Sequence, residues 1–84
     1  MHKSDSSDQD RVLAEAARGT CVRVVEVPSA EAERLVRHGI RPGVSLTIDQ
    51  DAPLGGPRIV RIRGTRLAIA RSLACHILVR PVTR

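Results

Sequence analysis

The sequence predicts a mainly β protein (α+β), a small closed barrel of about five short strands with one short helix before the first strand and one inserted after it. Three observations point there. Residues 53–70, PLGGPRIVRIRGTRLAIA, read as a β-hairpin whose apolar positions alternate with arginines. Other β-branched segments are short and bounded by Gly and Pro, which punctuate strands rather than long helices. The chain is 42% apolar yet contains no Phe, Tyr or Trp, so Val, Ile, Leu and Ala must fill its core. A length of 84 residues allows one domain, and a chain this short buries only roughly 60% of its unfolded surface.

Taken in order, residues 1–10, MHKSDSSDQD, form a polar tail expected to be disordered, and residues 11–84 form the domain. Asp10 also stands where an N-cap would, before a helix over residues 11–18, RVLAEAAR, closed by Gly19. Leu13 with Ala16 or Ala17 would be its buried stripe. Residues 20–27, TCVRVVEV, read as the first strand, with Val22 and Val24 inward and Cys21 and Arg23 on the other side. Ser29 is placed to cap a second helix over residues 30–38, AEAERLVRH, with Glu31 and Glu33 near its positive end and Arg37 and His38 near its negative end. Gly39 stops that helix, and Ile40 is positioned to touch Leu35 in a Schellman cap. Arg41-Pro42-Gly43 turns the chain into a strand over residues 44–48, with Val44, Leu46 and Ile48 alternating against Ser45 and Thr47. Residues 49–57, dense in Asp, Pro and Gly, read as a loop.

The hairpin follows. With Gly64-Thr65 as a type II′ turn, the facing pairs would be Arg63 with Arg66, Ile62 with Leu67, Arg61 with Ala68, and Val60 with Ile69. Val60, Ile62, Leu67 and Ile69 then share an apolar face, and Arg61, Arg63, Arg66 and Ala68 share the other. Residues 71–75 read as one helical turn and residues 76–81 as the last strand, with Ile77 and Val79 inward. Five short strands with tight turns around one small core suggest an SH3-like barrel.

Composition also excludes functions. The chain has no apolar run long enough for a membrane span and no hydrophobic region near its start for a signal peptide, so a cytoplasmic protein is expected. Cys21 and Cys75 are too few for a disulfide framework and read as ordinary thiols. Cys75 and His76 are adjacent, without the spacing that converges on one ion, and the acids of the tail, with His2, read as solubilising. No metal site and no cofactor is expected. Nothing resembles a nucleophile elbow or a P-loop, and Gly55-Gly56 lacks the Lys-Ser/Thr a phosphate cradle needs, so no enzyme is expected. The absence of aromatic side chains argues against a polyproline groove and against stacking on single-stranded nucleic acid. Thirteen Arg and one Lys give a formal charge of +5, which fits an acidic protein partner, an anionic membrane or phosphates.

Three stretches, RLVRHGIRPG over residues 34–43, APLGGP over 52–57 and GTRLAIARSLACHILV over 64–79, resemble in order and spacing the FeoA family, the small cytosolic protein A of bacterial ferrous iron transport. The similarity runs over about residues 12–79. It implies an SH3-like barrel, no catalysis, and an accessory role for the membrane transporter FeoB, whose cytosolic part is a GTPase. The same kind of domain is fused to iron- and manganese-dependent repressors, but no helix-turn-helix region precedes it here. The family commonly carries an acid where this sequence has Gly56.

The leading expectation is a non-catalytic adaptor that docks on a FeoB-type ferrous iron transporter, with a homo-oligomer compatible. Its partner-binding residues would be Arg61, Arg63 and Arg66, with Leu54 and Gly55 of the preceding loop. The alternative is a small basic domain that binds nucleic acid or is a fragment of a metal-responsive regulator.

Overall fold

The computed structural model describes residues 10–51 and 55–82. Residues 1–9 of the expected tail and Leu54 of the candidate site lie outside them. Six strands form one curled antiparallel sheet: β1 (Arg11–Val12), β2 (Cys21–Glu26), β3 (Ser45–Asp51), β4 (Arg58–Ile62), β5 (Thr65–Ile69) and β6 (Leu78–Pro81). Two helices accompany it, α1 (Ala32–Arg37) and α2 (Arg71–Ala74). The order across the sheet is β1-β6-β2-β3-β4-β5, so β1 and β5 are its edges.

Alternation of side chains places one set of β-branched and leucine residues on the concave face. Val22, Val24, Leu46, Ile48, Val60, Ile62, Ile69 and Val79 are all buried there with Leu13, Leu35, Ile40 and Ile77. Each such side chain contributes about 1.5–3 kcal/mol when fully withdrawn from water, which is how a core without aromatic rings holds so short a chain together. Of the residues expected to face inward from the strands, Val22, Val24, Leu46, Ile48, Val60, Ile62, Ile69, Ile77 and Val79 are buried, while Val44 and Leu67 are only partly buried and pack against this core.

Helix α1 ends as its sequence dictates. The Gly39 N–H donates to Val36 O at 2.9 Å and the Ile40 N–H to Leu35 O at 2.9 Å. Gly39 carries the positive φ, 87°, that this cap requires, and Ile40 and Leu35 are both buried. The start of the helix differs from expectation. Residues Ser29–Glu31 form a 3-10 turn, and no side chain caps either it or α1.

The N-terminal segment also departs from expectation. Instead of a helix over residues 11–18, β1 pairs with β6 and a 3-10 turn covers Leu13–Glu15. Asp10 caps nothing; its carboxylate accepts from Arg80 Nε at 2.7 Å and from Arg80 Nη2 at 3.4 Å. The reason is tertiary. Arg58 of β4, only 4% exposed, donates through Nη1 to Leu13 O at 2.8 Å and also to Ala16 O. The buried guanidinium fixes the Leu13 and Ala16 carbonyls toward β4, Leu13 O accepting also from the Ala16 N–H at 3.3 Å in the 3-10 turn, and this tertiary contact outweighs the helix preference of LAEAA. It also ties β4 to the segment that follows edge strand β1. Among the described residues the strands therefore number six where about five were expected, the additional one being this two-residue edge.

Two irregularities bend the sheet. The β2–β6 ladder shifts between Val24 and Glu26, and the β3–β4 ladder shifts between Ile48 and Gln50. Each leaves one extra residue, Val25 and Asp49, as a bulge does. Asp49, expected in a loop, is thus a strand residue, because β3 continues to Asp51.

Candidate functional site

The β4–β5 hairpin turns at Arg63-Gly64, not at Gly64-Thr65. Both residues have positive φ, 52° and 83°, as a type I′ turn demands and as its twist makes favourable between two strands. The observed pairs are Ile62 with Thr65, Arg61 with Arg66, Val60 with Leu67, Ile59 with Ala68, and Arg58 with Ile69. Each partner is displaced by two residues from the expected register. A shift of two preserves the faces, so the apolar set is inward as expected while the cross-strand neighbours change. Arg63 and Arg66 do not face each other.

Arg61 and Arg66 do, and Asp49 lies between them. Arg61 Nη2 is 3.2 Å and Arg66 Nε 2.9 Å from the same oxygen, Oδ2 of Asp49. The Asp49 bulge delivers the carboxylate to the outer face of the hairpin. Like charges directly opposite across a ladder repel, and a carboxylate between them removes that penalty. The three side chains together still carry one net positive charge, and the two guanidiniums are about half exposed or more. They are held in place and still open to a ligand. Arg63, at the tip, is exposed and borders a second hollow with Arg37, His38 and Gly39 at the end of α1. Gly55 is exposed with a φ of 74° and lies beside Gly56, Pro57, Ala68, Ala70 and Arg71. The structure therefore brings Arg61 and Arg66 together, sets Arg63 apart from them and Gly55 on the flank of β5.

Along the free edge of β5 runs a groove of about 700 Å³ between α1 and α2. Leu35, Leu67, Ile69 and Leu73 supply apolar lining, and His38 and His76 stand at it. Both histidines are exposed.

Asp49 and Arg58 are the residues that sequence reading missed. Asp49 was hidden by an apparent loop composition, whereas Arg58 had a visible signal: it falls two residues before Val60, on the inward side of the hairpin. In β6, next to edge strand β1, Arg80 is held charged more firmly than an ordinary arginine by its hydrogen bond to Asp10 and by that carboxylate's charge, against the opposing effect of burial. Cys21 and Cys75 are free and exposed. Among the described residues no group of three or more His, Cys, Asp or Glu is placed to hold a metal ion, and no helix is long and apolar enough to cross a membrane.

No curated protein matches the chain. Among solved structures, an iron uptake regulatory protein (FeoA) is 30% identical, covering 87% of this chain and 97% of its own, with a TM-score of 0.76. A FeoA-like protein from Clostridium acetobutylicum is 28% identical, covering 90% of this chain and 91% of its own, with a TM-score of 0.78. The manganese regulator SloR is 14% identical over 86% of this chain and 34% of its own, with a TM-score of 0.76, a likeness of fold alone. The family model for the FeoA domain matches residues 11–81, nearly all of the described chain, and the protein therefore belongs to the FeoA domain family.

Proposed function

We propose that this protein is a non-catalytic accessory protein of bacterial ferrous iron uptake, acting in the cytoplasm by docking on the cytosolic part of a FeoB-type transporter. Membership of the FeoA family supports the role in ferrous iron transport. The observation that carries the docking surface is the arrangement of Arg61 and Arg66 around Asp49 on the outer face of the hairpin. A guanidinium held by one carboxylate loses little further rotamer freedom on meeting a second, and its planar fork suits bidentate contact with an acidic partner. Arg63 at the tip extends the cationic surface toward the end of α1, and Gly55 lies beside Ala68 of β5.

Co-purification with the cytosolic GTPase part of the transporter, with and without guanine nucleotide, tests the reading. Retention of the transporter fragment is expected. Failure to retain it in either nucleotide state, while the fragment itself binds nucleotide normally, would contradict it.

A further inference from the structure

The free edge of β5 offers a second mode of recognition. In a two-residue hairpin the residues flanking the turn form a hydrogen-bonded pair, and bonded and non-bonded pairs then alternate. Thr65, Leu67 and Ile69 therefore spend their backbone groups on Ile62, Val60 and Arg58. Arg66 and Ala68 turn theirs outward, and no other described residue bonds to them. The next outward carbonyl, that of Ala70, accepts from Leu73 and Ala74 at 3.0 and 2.9 Å and closes α2. Among the described residues there is thus a short open edge between the hairpin turn and α2, with two residues' donors and acceptors facing the groove that α1 and α2 wall in. Proteins usually cover or blunt such an edge.

We propose that this edge accepts an extended acidic segment of a partner protein as an added β-strand. Alternation of side chains specifies what that segment carries. On the groove side it would lie beside Leu67, Leu35 and Leu73, so apolar residues fit there. On the outer side it would lie beside Arg66 and Ala68, where the small alanine leaves room and the guanidinium favours a carboxylate. An alternating apolar and acidic strand satisfies both sides, whereas a second copy of this chain does not. Pairing β5 with itself would bring two copies of Arg66, and two chains of formal charge +5, onto one edge. The proposal draws on the docking reading only for the partner's identity; the recognition itself stands on the edge and the groove.

The test is titration with a short synthetic peptide alternating valine and glutamate, followed by amide hydrogen exchange. The valine–lysine counterpart serves as control. Binding of the acidic peptide should slow exchange at the Arg66 and Ala68 amides. Ala68→Pro removes one outward N–H without touching the bonds to β4, so the variant should fold and bind the peptide about tenfold more weakly or worse. Protection of neither amide, equal binding of the lysine peptide, undiminished binding by a folded Ala68→Pro, or pairing of β5 with a second copy would each overturn the proposal. Capture of the transporter fragment is scored separately. A folded Ala68→Pro that still captures it would defeat the edge and leave the docking reading standing.

Discussion

Arg61 and Arg66 face each other across the β4–β5 ladder and share one acceptor, Oδ2 of Asp49, at 3.2 Å and 2.9 Å. The outer face of the hairpin is organised by this contact, since two cations that would otherwise repel are held by the carboxylate that a bulge in β3 supplies.

Removing that carboxylate should restore the repulsion. Asp49→Asn is expected to cost about 0.5–1 kcal/mol at low ionic strength, the range for exposed pairs and cross-strand charges. Salt screens exposed charges, so the cost should shrink in urea titrations at high salt. An equal cost at both ionic strengths would mean that Asp49 acts through the backbone of the bulge rather than through its charge.

Arg63 occupies a position with a φ of 52°, which a branched or bulky side chain adopts at an energetic cost. Asparagine followed by glycine is the preferred sequence for this turn. Arg63→Asn should therefore raise stability by up to about 1 kcal/mol, seen as a later urea midpoint with an unchanged slope. Were the turn at Gly64-Thr65 instead, the substitution would bring no gain.

The buried Arg58 bridges β4 to the N-terminal segment through the carbonyls of Leu13 and Ala16. Arg58→Met keeps much of the volume but leaves both carbonyls without that donor, so a loss of at least about 2 kcal/mol is expected. Hydrogen exchange should quicken first around residues 13–16. A variant as stable as the parent would show that the bridge forms without contributing to the fold.

Why the hairpin's faces were legible and its register was not follows from one property of strands. The apolar residues at 60, 62, 67 and 69 fix parity alone, and a displacement by two residues leaves parity intact. The choice between the turns then depended on the tolerance of Arg63 for positive φ and on a carboxylate arriving from another strand, and neither is written in the hairpin itself. The end of α1 was readable because Leu35, Gly39 and Ile40 form a local motif. The N-terminal segment departs from the helix expected of it because LAEAA has the right local preference, but Arg58 fixes the Leu13 and Ala16 carbonyls from far along the chain. Of the candidate site, the cationic residues were legible as a composition, whereas the pairing of Arg61 with Arg66 and the role of Asp49 needed the bulge.

The most direct measurement is calorimetric titration of the transporter's cytosolic GTPase part with the parent protein and with the double variant Arg61→Gln, Arg66→Gln, each at low and high salt. Docking through the hairpin face requires the parent to bind with an affinity that falls as salt rises, and the double variant to bind at least about tenfold more weakly at low salt with a flatter dependence. Equal affinity of parent and double variant at low salt would contradict it.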